Sequence, residues 1–268
     1  MTNLPLPHLP DLVDFAHSLA DASGAAIRPY FRATIGVTDK NTGGTFDPVT
    51  AADEGAERVI AEAVAKRWPD HGFIGEEHGT HRPDARLKWV VDPIDGTRAF
   101  IMGWPMWGTL IGLLDGNTPV LGMMDQPFTR ERFWSDGEAA YLRTLDGEKR
   151  IHTRRCPDLG QAILSTTHPE LFAPGEEADG FAALRSRVRM TRYGGDCYGY
   201  CLLAAGFVDV IVEAGLKPYD IVALIPIIER AGGRITTWDG KPATQGGRIL
   251  AAGDPELHAK ALEVLAGC

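Results

Sequence analysis

The chain has 268 residues, 44% hydrophobic and 24% charged, with a net charge of −9, a globular composition with enough length for a large core. The acidic balance argues against nucleic acid or an anionic membrane as the main partner, and no apolar run reaches the roughly 18 residues that span a bilayer. The Pro-rich N-terminus lacks the basic and apolar regions of a signal peptide, and Cys156, Cys197, Cys201 and Cys268 show no zinc spacing and read as reduced thiols, so a cytoplasmic protein is expected.

Residues 10–31 place Leu12, Ala16, Leu19, Ser23, Ile27 and Tyr30 at helical spacing and predict a first helix. A glycine-rich loop follows over residues 41–45, with glycines that would let it move as a lid. A second helix is predicted from Thr50, with Asp53 as capping-box partner and Val59, Ile60, Ala63 and Val64 as its apolar face, ending before Pro69. Short strands are expected next over residues 73–74, 87–91, 108–114, 120–125, 132–135 and 139–143. This half reads as helices on a mostly antiparallel meander. Beyond a boundary near residues 145–155, strands over 162–166, 188–193, 208–213, 233–237 and 249–252 alternate with helices over 178–186, 198–205, 221–230 and 255–265. That alternation is the pattern of a smaller α/β half. Two subdomains, 1–150 and 151–268, are expected to fold as one body. Trp104 and Trp107 read as core, and the scattered histidines as surface residues.

The chemistry concentrates in Trp89-Val90-Val91-Asp92-Pro93-Ile94-Asp95-Gly96-Thr97. Two carboxylates at the end of a buried strand repel each other and are costly to desolvate. Lys88 and Arg98 are their only basic neighbours along the chain. A bound cation would keep both ionised, and hard oxygen ligands select Mg²⁺, Mn²⁺ or Ca²⁺. Backbone N–H groups after Gly96, at a helix start, suit a phosphate. Metal and phosphate together point to phosphoryl chemistry. Glu76 and Glu77 alone would be a solvated acidic turn, Asp220 alone a helix N-cap, and Asp47 alone a loop cap.

Four segments together resemble the inositol monophosphatase superfamily of Mg²⁺-dependent phosphatases: Asp47 to Asp53, Phe73 to Glu77, Trp89 to Thr97, and the Asp220 region ending at Gly233. The resemblance covers nearly the whole chain. It implies an α+β fold, a layered α-β-α-β-α sandwich with an antiparallel N-terminal sheet and a smaller C-terminal α/β half. It also implies two or three Mg²⁺ per subunit, with Mn²⁺ as a substitute, and a homodimer. Glu76, Asp92 and the Ile94 carbonyl would hold one ion, and Asp92, Asp95 and Asp220 a second. Thr97, paired with Asp47, would activate the attacking water alongside Glu76. The N–H groups of Gly96 and Thr97 would take phosphate oxygens. Two metals can clamp both oxygens of an in-line displacement, so direct water attack without a phosphoenzyme is expected. Two departures stand out: Pro218-Tyr219 precede Asp220 where many relatives carry Trp, and Pro226 should bend the helix that starts at Asp220.

Three further runs resemble the histidinol-phosphatase branch, which serves histidine biosynthesis: Arg98 to Gly108, Tyr193 to Tyr200 and Val212 to Asp220. Histidinol phosphate adds an ammonium group and an imidazole to the phosphate. Its pocket should hold carboxylates beyond the metal ligands; Asp196 and Glu213 are the candidates, with Gly195 beside Asp196 as a further pocket residue that permits close approach. Each charge-assisted bond to an ammonium contributes about 1.5–3 kcal/mol. Arg98 and Arg192 are further candidates for the substrate pocket, since Arg suits oxyanions. The alternatives are an inositol-1-monophosphatase or related sugar or nucleotide phosphatase, and a catalytically inactive cation-binding regulator. The acids lack the loop spacing of an EF-hand. The expected partner is a small phosphate ester.

Overall fold

The structure is a computed structural model, and it describes residues 9–34, 36–40 and 48–267. The glycine-rich stretch 41–45 and Asp47 lie outside the described residues.

Helix α1 (Leu9–Ile27) buries Leu12, Ala16, Leu19, Ser23 and Ile27 along one stripe, as their spacing requires. It stops short of residue 31 because Pro29 offers no N–H to continue the ladder. Strand β1 (Val37–Asp39) pairs antiparallel with β2 (Pro48–Thr50). Helix α2 (Ala51–Arg67) opens on the expected capping box: Thr50 Oγ1 accepts the Ala52 N–H at 3.1 Å, and Asp53 Oδ2 accepts the Thr50 N–H at 2.9 Å.

The next strands are β3 (Gly72–Gly75), β4 (Thr80–His81) and β5 (Leu87–Asp95). After the short helix α3 (Thr97–Ile101) come β6 (Gly108–Asp115), β7 (Thr118–Gln126), β8 (Glu131–Ser135), β9 (Ala140–Thr144) and β10 (Gly147–Ile151). They form one sheet in the order β10-β9-β8-β7-β6-β5-β3-β4, antiparallel except where β3 lies beside β5.

The second half contributes β11 (Ile163–Thr166), α4 (Glu176–Arg185), β12 (Met190–Tyr193), α5 (Asp196–Ala204) and β13 (Val210–Leu216). Then come α6 (Pro218–Ile221), α7 (Leu224–Ala231), β14 (Arg234–Thr237), β15 (Gly247–Ala252) and α8 (Pro255–Ala266). The five strands form a sheet ordered β12-β11-β13-β15-β14, in which the first three run parallel.

Alternation along the strands assigns each face. On the large sheet, Ile111, Leu113 and Met123 pack on α1 and α2, while Leu110, Met124 and Phe133 face α5 and α7. Those two helices also cover Ile211 and Ile249 of the small sheet. Leu164, Val210 and Leu250 point the other way, onto α4 and α8. The result is the expected α-β-α-β-α layering. Each fully buried aliphatic side chain contributes about 1.5–3 kcal/mol of transfer free energy.

The helix expected over 221–230 is interrupted rather than bent. Pro226 has no N–H for the Val222 carbonyl, and the chain divides into α6 and α7 at residues 222–223. This break lies on two glycines of the large sheet. A Cβ on Gly122 would sit 1.8 Å from the Ala223 carbonyl oxygen, and one on Gly112 would sit 2.9 Å from Val222. Close approach there brings Asp220 to the end of β5. Among the described residues, no helix is long and apolar enough to cross a membrane.

Candidate active site

In a regular strand, residues 92 and 95 would point to opposite faces. Strand β5 avoids this with a bulge: Asp92 pairs with Leu110 and Asp95 with Gly108, so three steps on β5 match two on β6. Pro93 needs no ladder partner inside the bulge, and its carbonyl accepts the Thr109 hydroxyl at 2.8 Å. Asp92 Oδ1 accepts the Ile94 N–H at 3.0 Å, and Asp95 Oδ2 accepts the N–H of Cys197, at the start of α5, at 2.6 Å. Asp220 Oδ2 accepts the Lys217 N–H at 2.6 Å, which closes the first turn of α6.

One carboxylate oxygen from each of Asp92, Asp95 and Asp220 lies within 4.8 Å of the other two. Asp92 is only 2% exposed. Burial first, then the charges of Glu76, Asp95 and Asp220, hold its carboxyl well above the usual range. Burial and Asp196 push Asp95 up to about 8. Asp220 is raised by burial and then by Asp95. Three hard oxygen donors this close and this dry, each unfavourable as a bare anion, fit a divalent cation such as Mg²⁺ or Mn²⁺.

The Glu76-Glu77 turn is fixed from below by a residue that the sequence reading passed over. Glu57, fully buried on α2, accepts the Glu77 N–H at 2.9 Å and the His78 N–H at 2.6 Å. Its Oε1 also lies 2.9 Å from His78 Nδ1. Gly75 makes room for it, since a Cβ there would sit 2.3 Å from Glu57 Oε1. From above, Lys40 donates to Glu76 Oε1 at 2.9 Å and Glu77 Oε1 at 3.0 Å. These bonds raise the Lys40 pKa although burial acts against them. Burial and Glu76 push Glu77 up to about 7. The basic partner of the acidic turn therefore comes from 36 residues upstream, beyond the reach of local sequence inspection.

These acids open into a cleft of about 460 Å³. Ile94, Gly96, Thr97 and Arg98 form one wall, with Gly96 in the left-handed region at φ 86°. Thr97 Oγ1 donates to the Ile94 carbonyl at 3.0 Å, while Asp47 lies outside the described residues. Asp196 and Glu213 also line the cleft, with Asp196 packed against the Gly96 wall, where a Cβ on Gly96 would lie 3.2 Å from the Asp196 Cβ and Cγ. Asp196 opens α5 without capping it, in a strained left-handed conformation at φ 43°. Burial and then Glu213 push it up to about 7, with Arg98 opposing. Glu213 Oε1 accepts the Thr167 N–H at 2.8 Å and hydroxyl at 2.6 Å, and Oε2 accepts the Tyr200 hydroxyl at 3.0 Å.

Two expected pocket residues are not among the cleft's lining. Arg192 is exposed on β12, the edge strand of the small sheet. Gly195 serves packing instead: a Cβ there would lie 3.1 Å from the Gly199 Cα and 3.2 Å from Ser165 Oγ. The two tryptophans also separate. Trp107 is fully buried beside Phe31 and Phe100, whereas Trp104 is 52% exposed and lines the cleft. His168, one of the scattered histidines, lines it too. Nothing in the spacing around His168 marks it; only the fold carries it there.

The profile of the inositol monophosphatase family matches residues 8–267. The chain belongs to the inositol monophosphatase family. It is a phosphatase of that family, and its acidic cluster is suited to hold a metal ion. The chain is 46% identical over 261 residues to the chloroplastic bifunctional phosphatase IMPL2 of Arabidopsis thaliana, covering 93% of this chain and 73% of that one. It is 34% identical over 266 residues to the histidinol-phosphatase of Streptomyces coelicolor, covering 96% and 98%. A solved inositol monophosphatase from Zymomonas mobilis superposes with a TM-score of 0.85 at 41% identity, covering 97% of this chain and 99% of that one.

Proposed function

We propose that this family member hydrolyses histidinol phosphate to histidinol and phosphate by direct attack of water. One observation carries the choice of substrate. Asp196 and Glu213 stand in the same cleft as the metal-suited aspartates but outside their cluster. They are acids that a phosphate would avoid and that bind an ammonium more strongly than a neutral hydroxyl. Asp196 accepts no hydrogen bond from any described residue, so its carboxylate is available to an ammonium group. The likeness to a histidinol-phosphatase supports the same reading.

In this mechanism Asp92, Asp95 and Asp220, with Glu76 and the Ile94 carbonyl, would hold the cations. Mg²⁺ there would neutralise the phosphate charge and lower the pKa of water. The chain's own residues do the rest. Thr97, with Asp47, orients the attacking water, and Glu76 accepts its proton. Gly96 and Thr97 present backbone N–H groups to the phosphate, and Arg98 stands at the same wall. Asp196 and Glu213 hold the leaving group by its ammonium. Residues 1–150 would thus carry most metal ligands, and residues 151–268 would carry Asp220 and the substrate acids. We also propose a cytoplasmic homodimer, on family resemblance alone.

The test is relative kcat/KM on histidinol phosphate and inositol 1-phosphate. A preference of roughly 10–100-fold for the former is expected from one ammonium contact. Asp196→Asn should raise KM for histidinol phosphate more than for inositol 1-phosphate. A wild-type preference for the inositol ester would favour the second reading, an inositol-1-monophosphatase, which the Zymomonas mobilis likeness supports.

A further inference from the structure

A second cavity, sharing no residue with the cleft, lies between the end of α1 and the turn from β7 to β8. Its volume is about 380 Å³, and its lining includes Arg28, Arg130, Arg132 and Arg143 with Asp21 and Asp125. Four guanidiniums against two carboxylates make a local positive excess on a chain of net charge −9. Phosphate chemistry in the cleft uses none of them.

Most of this charge is matched within the fold. Arg132 donates through Nε to Asp125 Oδ1 and through Nη2 to Asp21 Oδ1, each at 2.7 Å, and its Nη1 lies 3.2 Å from His17 Nδ1. Arg143 donates to Glu148 Oε2 at 3.1 Å and lies over the Trp134 ring. Three groups are left over. The guanidiniums of Arg28 and Arg130 make no hydrogen bond or ion pair with any described residue. Asp125 is 5% exposed, and its Oδ2 accepts no hydrogen bond from a described residue. A buried carboxylate oxygen without a donor is costly.

Arg130 is also held at a cost. Its backbone is left-handed, at φ 61°, a region that residues with a side chain seldom occupy. The turn fixes it there: the Arg130 N–H donates to the Gln126 carbonyl at 2.9 Å, and Gln126 Oε1 accepts the Phe128 N–H at 2.8 Å. Helix α1 packs closely on the same turn, where a Cβ on Gly24 would sit 2.9 Å from the Pro127 Cβ. The walls of the cavity are therefore set before any ligand arrives, which lowers the cost of binding.

The unmatched groups define the guest. A bare dianion would meet Asp21 and Asp125, and a bare amine would meet Arg28 and Arg130. A zwitterion answers both through charge-assisted bonds. We propose that this cavity binds a free α-amino acid, with its carboxylate between Arg28 and Arg130 and its ammonium on Asp125 Oδ2. The site is separate from the phosphatase chemistry and does not depend on which ester the cleft hydrolyses.

Thermal denaturation of the full chain with Mg²⁺, with each proteinogenic amino acid added in turn, finds the ligand by its rise in Tm. Isothermal titration then gives its Kd, beside those of its carboxamide, which lacks the carboxylate, and its N-acetyl form, which lacks the ammonium. At least one amino acid should raise Tm saturably, and each derivative should bind about tenfold more weakly. Arg130→Gly should raise the Tm of the ligand-free chain by relieving the left-handed backbone, yet weaken binding about tenfold. Arg28→Ala, at an exposed position past the end of α1, should weaken binding to a similar extent with the fold intact. Asp196→Asn, in the cleft, should leave the Kd unchanged. No rise in Tm with any amino acid, equal binding of the carboxamide or the N-acetyl form, or a Kd unmoved by Arg130→Gly and Arg28→Ala would overturn the site. So would loss of binding in Asp196→Asn, which would put the ligand in the cleft.

Discussion

Glu57 shows how a single buried side chain can set a site that it does not line. It receives two backbone N–H bonds from the Glu76-Glu77-His78 turn while fully buried, in space that only glycine at position 75 leaves open. With Glu76 holding a metal ion as proposed, Glu57 stands one step behind it, and groups so placed typically change metal affinity about 10–100-fold when altered. Glu57→Gln should therefore raise the Mg²⁺ concentration for half-maximal activity about tenfold, and Gly75→Ala should act in the same direction by displacing the Glu57 carboxylate. An unchanged Mg²⁺ requirement in both variants would show that the turn holds itself. Residues such as Asp92, Asp95 and Asp220 were legible from the sequence because their strings are distinctive. Lys40, Glu57 and His168 were not, because each acts across the fold and sits in unremarkable local sequence. Gly195 and Arg192 lie outside the lining of the cleft. They are neighbours of Asp196 in the chain, but one packs α5 against β11 and the other lies on an exposed sheet edge.

At the scale of elements, two irregularities assemble the site: the β5 bulge and the break between α6 and α7. The bulge around Pro93 was not visible in the sequence, whereas Pro226 was, as a disturbance of its helix. That the first turns Asp95 onto the face of Asp92 depends on the register against β6. That the second seats the chain on Gly112 and Gly122 depends on contacts between residues far apart in the chain. Short β1, β4 and β10 escaped prediction because they are short or, like β10, largely exposed and polar. Gly122→Ala would force a Cβ against the Ala223 carbonyl. Backbone cannot yield as a side chain can, so this should cost about 3 kcal/mol and weaken metal binding by displacing α6. Gly55→Ala is the contrast. It sits inside α2 with nothing within 4 Å of the added Cβ, and should stabilise by about 0.5–1 kcal/mol. Thermal denaturation of the two variants checks both signs.

For the whole molecule, the layering makes stability sensitive to acid through histidines far from the cleft. His258, buried on α8, lies 3.0 Å from Thr236 Oγ1, and burial followed by Arg234 pushes it down to about 4. The folded chain keeps this ring neutral while the unfolded chain protonates it below its ordinary value near 6.5. Stability should therefore be intact above pH 6.5 and fall as pH drops toward 4, by roughly 2–3 kcal/mol from this residue. Urea denaturation at pH 7.5 and 5 should show a smaller difference in His258→Gln than in the wild type; equal differences would assign the acid sensitivity elsewhere. The cleft itself lies where the end of β5 in the large sheet meets α5, β13 and α6 from the second half, so its carboxylates converge only in the completed fold. Their convergence makes sense if a cation joins them. The most direct measurement is phosphate release from histidinol phosphate as Mg²⁺ is titrated into chelator-stripped protein. No release before addition, and a saturable recovery that Asp95→Asn abolishes, is the expected result. Turnover undiminished by chelation, or recovery unaffected by Asp95→Asn, would contradict the central claim that these aspartates work through a bound metal.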